Sequence, residues 1–408
     1  MSGMFSPRCV LLVLCLASAC QAGHTITWKS ATTGGDVRGE IFAPNDAAKP
    51  TPTVVVLDNL AAPRIGTEPT SEIVKDLVAT GHLVLVLDYA RHAAAVSPTM
   101  NADVLLLREQ IAGKRPTLLV DRGIDANRLF ILPGGYRLRR DVEFARDGAR
   151  VLAMDVAFPS KPEQPVPVVM EITCDNANRM GSGSLLFCRD TLLEGGAIAG
   201  FAVAMVDHPV APPYKGLDDP MPQCIHRMKA AVRTLRALSP EIHGNGKIGA
   251  IGFSRGGPMA ALLAVTGDRP DLEGDGPHGD VSSRIQAALI HGNRYDYLDL
   301  RADDPMLARF EKAWGPRATS EAHWAEHGAA HYLTRDSAPM FLNTSDAESP
   351  EFRDGLEKFA KRLEQAGFEH AYQVDADGRG HRVSTDSKTL AKVYAFFREH
   401  LNEAPPSR

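Results

Sequence analysis

Beyond its first twenty residues the chain has only three cysteines, Cys174, Cys188 and Cys224. An odd count permits at most one internal disulfide and leaves at least one free thiol unless it pairs between chains. The spacing matches no zinc site, and a disulfide-stapled scaffold is excluded; small buried side chains are the expectation. No charge of one sign dominates, since 45 lysines and arginines face 50 aspartates and glutamates for a net charge of −5. No basic cluster breaks that balance, so nucleic acid is not an expected partner.

Long apolar runs are also scarce. The run at residues 10–20, after Arg8, is too short to span a bilayer comfortably and ends in Ala17-Ser18-Ala19-Cys20. It reads as a secretory signal over residues 1–20, so a secreted or periplasmic location is expected. Cys20 follows small residues as in a lipoprotein signal, without the usual leucine three places before it. Membrane attachment is expected only if Cys20 is lipidated.

What is present is an ordinary globular composition, 408 residues with 44% hydrophobic and 23% charged, long enough for two domains. Residues 24–44 read as an alternating strand pair, 53–59 as a buried strand, 70–80 as a helix with Ile73, Val74, Leu77 and Val78 on one face, and 83–88 as a strand. A helix near 101–111 and a strand at 128–132 follow, making a βαβ series with a parallel sheet. The order then begins again: strands at 141–144 and 151–158, a Pro-rich connector, an apolar strand at 168–172, a segment at 200–207 that parallels 81–88, and a helix at 222–238. The loops match too, Asp58-Asn59 with Arg64 and Gly66 against Asp175-Asn176 with Arg179 and Gly181. The pattern predicts an internal duplication. The first copy stops at Leu132-Pro133-Gly134-Gly135-Tyr136, with no serine where the second copy has one.

That serine is in Gly252-Phe253-Ser254-Arg255-Gly256, preceded by a strand pattern from Lys247 and followed by a helix pattern from Gly257. A turn that lifts a hydroxyl above a sheet needs close strand–helix contact, which a Cβ at 252 or 256 would obstruct. Serine is a weak nucleophile at neutral pH and needs a base, itself oriented by a carboxylate. The strand at 337–343 opens onto Asp346 and Glu348, and the strand at 371–374 leads to Gly380-His381. Ser254 is therefore the candidate nucleophile and His381 the base, while Glu348 and Asp346 compete for the place of the acid. The Arg255 N–H can donate to an oxyanion, with a second donor from Cys174 or Asp175. His208, at the same sheet edge, is a candidate substrate contact, with a structural role as the favoured reading. His291 ends a strand and reads as a core residue; His323, His327 and His331 read as surface groups of a cap. The acidic loop at 268–280 lacks the spacing of a calcium loop. No metal and no cofactor are called for.

From about Leu138 onward the chain resembles the α/β-hydrolase fold, in the esterase and lipase branch that includes dienelactone-hydrolase-like and feruloyl or acetylxylan esterase-like proteins. The residues that carry this are Asp141 to Phe144 with Met154 to Pro159, Gly252 to Gly256, Ala338 to Leu342, and Gly380-His381. The resemblance implies a mostly parallel, doubly wound sheet and places Glu348 of Ser345-Asp346-Ala347-Glu348 on the acid. It also implies a cap insertion near 294–335. Where the family commonly has His-Gly-Gly-Gly, this chain has Thr173-Cys174-Asp175-Asn176, which leaves Asn176 and Arg179 as polar contacts to a substrate.

The expected organisation is a signal at 1–20, a partial, truncated and serine-free α/β-hydrolase-like unit at 24–136, and a catalytic domain at 138–403. The expected activity is hydrolysis of carboxylic esters, either small or linked to a polysaccharide through acetyl or feruloyl groups. Amide or peptide cleavage on the same fold and a non-catalytic scaffold remain the alternatives.

Overall fold

The computed structural model describes residues 24–29, 36–44, 51–58, 70–88, 124–133, 135–172, 200–209, 221–384 and 386–402. The leader, the expected helix near 101–111 and the segment 173–199 lie outside these residues. The chain divides into two compact units, 1–137 and 138–408.

The first unit is built on a sheet of β1 (His24–Lys29), β2 (Asp36–Phe42), β3 (Thr51–Asp58), β4 (Leu83–Asp88) and β5 (Ile124–Pro133), in the order β1-β2-β4-β3-β5. Its helix α1 (Thr70–Ala79) buries Ile73, Val74, Leu77 and Val78, the face expected from their spacing. The helix stops at Gly81, whose φ of +86° suits glycine. The N–H groups of Gly81 and His82 donate back to the carbonyls of Val78 and Leu77, so the last turn closes on its own backbone.

The second unit holds β6 (Tyr136–Asp147), β7 (Arg150–Pro159), β8 (Val166–Ile172), β9 (Ala202–Val206), β10 (Gly244–Gly252), β11 (Ala287–His291), β12 (Met340–Ser345) and β13 (His370–Asp375). They form one sheet in the order β13-β12-β11-β10-β8-β9-β7-β6, parallel from β9 through β13. Every residue of β8, β9 and β11 is buried, as in strands covered on both faces. Helix α2 (Gln223–Leu238) buries Ile225, Met228, Val232 and Leu235. Helix α3 (Gly256–Thr266) is buried on all sides, which its run of Ala, Leu and Val permits and a polar stripe would forbid.

The two sheets correspond strand for strand. In each, the second strand pairs antiparallel with the fourth, the fourth parallel with the third, and the third parallel with the fifth. Both third–fifth pairs shift register just after their first pair, Thr51 with Ile124 and Val166 with Gly244. Leu57 then faces Pro133 as Ile172 faces Gly252. Two residues further on, Gly135 (φ +82°) stands where the second unit has Ser254 (φ +52°). The first unit thus has a glycine of positive φ at the position of Ser254.

Candidate active site

The turn after β10 carries Ser254 in a left-handed conformation, φ +52°, uncommon for a residue with a Cβ and worth a functional reading. Its neighbours have no room for side chains. A Cβ on Gly252 would lie 2.2 Å from the Gly256 carbonyl oxygen, one on Gly256 2.2 Å from that of Ile172, and one on Gly257 2.6 Å from the Tyr295 hydroxyl. The Gly256 and Gly257 N–H groups close the turn on the carbonyls of Phe253 and Ser254. Asn293, just past β11, donates from Nδ2 to the Ser254 carbonyl at 2.6 Å. Arg255 is the N-cap of α3, which puts its N–H at the positive end of that helix.

Three side chains from three separate segments meet here. His381 Nε2 lies 3.0 Å from Ser254 Oγ, and His381 Nδ1 lies 2.8 Å from Glu348 Oε2. The other carboxylate oxygen of Glu348 accepts the Ser349 N–H at 2.8 Å, at the start of α6 (Pro350–Gln365; the intervening α4 and α5 are Leu307–Trp314 and Glu321–Glu326). The Glu348 side chain is 3% exposed and that of His381 31%. Gly292 leaves space for the longer acid, because a Cβ there would come within 2.8 Å of Glu348 Oε2 and 3.2 Å of Thr344 Oγ1. The imidazole stands between Phe253 and Phe352, with ring centroids 4.8 and 4.7 Å away. Arg294, held by buried Asp304 at 2.6 Å, covers the Phe352 ring.

Asp346 takes a different place. Its Oδ1 accepts the Gly378 N–H at 2.9 Å, and its own N–H donates to the Asp375 carbonyl. It tethers the backbone of the histidine loop and does not meet the imidazole in these contacts.

His208, the candidate substrate contact, is 1% exposed and packs beneath the turn against Arg255. Burial, reinforced by the Arg255 charge, pushes it down to about 3, so it is neutral. At this burial it presents no open face to a substrate. His291 is likewise buried and pushed down to about 3, by burial first and then by Arg379 and His381. Cys174, Asp175, Asn176 and Arg179 lie outside the described residues. Between β11 and β12, Trp314 and Trp324 pack on each other at 5.0 Å and are buried; His327 stacks on Trp314 and His331 bonds Asp296. Asp268 and Glu273 of the acidic loop are bound by Ser282, Ser283, Lys229 and Arg233.

Sequence reasoning missed Asn293, Gly292 and Phe352. Only the glycine-asparagine pair directly after a buried strand hinted at a tight approach.

Comparison with known proteins bears on the same segment. The BD-FAE family model matches residues 154–349, from β7 through Glu348. A truncated carbohydrate esterase from gut microbiota superposes with a TM-score of 0.54 at 17% identity, over 65% of this chain and 96% of that one. The second unit has the α/β-hydrolase fold. A thermophilic esterase of the Planctomycetes species Thermogutta terrifontis, with butyrate bound, gives a TM-score of 0.51 at 19% identity over 67% of this chain and 97% of that one. Esterase LipC of Mycobacterium tuberculosis is 25% identical over 255 residues, 60% of each chain. The chain therefore spans about 60% of the length of this relative. The α/β-hydrolase unit carries the matched region, the serine turn and the histidine loop.

Proposed function

We propose that this α/β-hydrolase cleaves carboxylic esters, with Ser254 as nucleophile, His381 as general base and then acid, and Glu348 orienting the imidazole. The observation that carries the reading is the unbroken chain of contacts, Ser254 Oγ to His381 Nε2 at 3.0 Å and His381 Nδ1 to Glu348 Oε2 at 2.8 Å. In this scheme the serine proton passes to Nε2 as Oγ attacks the ester carbonyl, and returns to the departing alcohol. Water then hydrolyses the acyl-enzyme by the reverse route. The Arg255 N–H faces the negative charge that develops on the carbonyl oxygen, with the Cys174–Asp175 segment supplying a second donor. No cofactor is required by this chemistry.

The substrate class we favour is an acetyl or feruloyl ester of a carbohydrate, handled outside the cytoplasm after residues 1–20 direct export. Its support is the carbohydrate esterase among the structural neighbours and an acetyl ester-xyloside bifunctional hydrolase of Caldicellulosiruptor lactoaceticus, TM-score 0.50 at 17% identity over 66% of this chain and 97% of that one. The first unit, with Gly135 at the serine position, takes no part in the acyl transfer.

The test is hydrolysis of a short-chain aryl acetate and of acetylated or feruloylated xylo-oligosaccharides. Turnover abolished by Ser254→Ala, with one equivalent of phosphonate label on Ser254 of the wild type, is the expected result. A wild type no faster than Ser254→Ala on all of these esters would overturn the ester reading.

A further inference from the structure

His381 reaches Ser254 from a loop, and the loop has little regular backbone to hold it. Gly378 and Gly380 lie at φ +63° and +65°, conformations that leave a chain freedom unless side chains remove it. Besides Asp346, which accepts the Gly378 N–H, Arg379 does so. Arg379 donates from Nε to the carbonyl of Arg382, the residue after His381, at 2.8 Å. Its Nη2 donates to Asn343 Oδ1 on β12 at 2.8 Å. Its Nη1 reaches Asp375 Oδ2, the last residue of β13, at 2.6 Å and Asp377 Oδ2 at 2.5 Å. One guanidinium therefore joins both ends of the loop to each other and to the neighbouring strand.

The anchor is itself well held. Asp375 also accepts from Asn343 Nδ2 at 3.0 Å, from Thr389 Oγ1 at 3.0 Å and from Gln373. Burial alone would raise the Asp375 carboxyl, but the hydrogen bonds from Gln373, Asn343 and Arg379 outweigh it and hold the group below the usual carboxylate range. The Arg379 and Asp375 side chains are 10% and 8% exposed, and no contact runs from Arg379 to Ser254 or Glu348 among the described residues.

We propose that Arg379 is the positioning residue for His381, a fork that fixes the loop so that Nε2 stays within reach of Ser254 Oγ. The inference rests on the ester-hydrolase reading for its kinetic form. A planar five-donor guanidinium can serve acceptors on four residues at once, and an ammonium on a flexible stem cannot. A displacement of the imidazole by about 1 Å costs on the order of 10²-fold in rate.

The test compares wild type, Arg379→Ala, Arg379→Lys and the double variant Arg379→Ala/Asp375→Asn, which removes the carboxylate charge at 375 that would otherwise lose its counter-charge. Thermal melting reports the folded fraction, and aryl acetate turnover reports the site. Arg379→Ala and the double variant should lose about 10²-fold in kcat with KM within about twofold, and Arg379→Lys about 10-fold. Free guanidinium at tens of millimolar should restore part of the Arg379→Ala loss. A folded Arg379→Ala protein with kcat near wild type, or a loss matched by its unfolded fraction and not restored by guanidinium, would overturn the proposal.

The His381 Nδ1–H resonance, assigned by its absence in His381→Gln, gives a readout that needs no turnover. It should broaden or disappear in Arg379→Ala, and an unchanged resonance would also overturn the proposal. If the wild type hydrolyses none of the esters, the function reading fails, and this resonance still decides the role of Arg379.

Discussion

Glu348 and Asp346 stand two residues apart in one loop, yet the first meets an imidazole and the second a backbone N–H. Glu348→Gln should lower kcat by about 10³-fold or more, since the imidazole loses the charge that orients it and stabilises its cation. Asp346→Asn keeps an acceptor for the Gly378 N–H, and kcat should fall by no more than about threefold. Steady-state kinetics on one aryl acetate measures both. Gly292→Ala is the complementary probe of space: its Cβ would enter the volume held by Glu348 Oε2, and kcat should fall by about 10- to 100-fold through displacement of the acid. The neutral histidines make a prediction about stability. His208 and His291 sit near 3 when folded, below the ordinary value of about 6.5. The unfolded chain therefore binds more protons between these values, and stability is full above about pH 6.5 and is lost as pH falls toward 3. Each histidine contributes a slope of up to about 1.4 kcal/mol per pH unit. Urea unfolding between pH 4 and 7 should show this slope, and His291→Asn should reduce it.

Elements place these residues through their ends. Strand β10 delivers the serine, β12 the acid loop and β13 the histidine loop, and all three run parallel, so their C-terminal ends share one edge. The strand before the acid loop was expected over 337–343 and is found at Met340–Ser345; the Pro339 start is irregular, and pairing with β13 carries the strand to Ser345. Helix α2 shows how charge can be buried to fix an element. Lys229 and Arg233, 0% and 1% exposed, both bind Glu273 of the acidic loop, at 2.9 and 2.5 Å. Lys229 also donates to the Gly267 carbonyl and to Ser283 Oγ. Glu273→Gln would leave two buried cations short of their counter-charge and should cost about 3 kcal/mol of unfolding free energy. Denaturant titration checks it; a loss below about 1 kcal/mol would mean the backbone acceptors suffice.

At the scale of the whole chain, the two units repeat one strand order with different outcomes. The first ends at β5 with Gly135 in the serine's place, while the second continues through three further strands that bring the acid and the histidine. A chain lacking residues 24–133, which keeps β6 entire, should still hydrolyse a small aryl acetate with kcat/KM within about threefold of the full chain. Loss of that activity in a folded truncated protein would assign the first unit a part in the site.

How much of this was legible in the sequence follows from range. The turn at Ser254 could be read because its requirements are local, small residues at 252 and 256 between a strand pattern and a helix pattern. The repeated strand order could be read because repeated patterning survives in the chain, and the α1 face because helical spacing survives too. The sequence alone left Glu348 and Asp346 open, because both carboxylates lie on one short loop and only a contact 33 residues away, with His381, separates them. The sequence also could not choose between a substrate contact and a structural role for His208, because burial is a property of what packs against a residue. Gly292, Asn293, Phe352 and Arg379 act through contacts between strands distant in sequence, so the tertiary structure alone decided that an extended acid fits, that the turn is braced, and that a histidine on a glycine-rich loop is held in place.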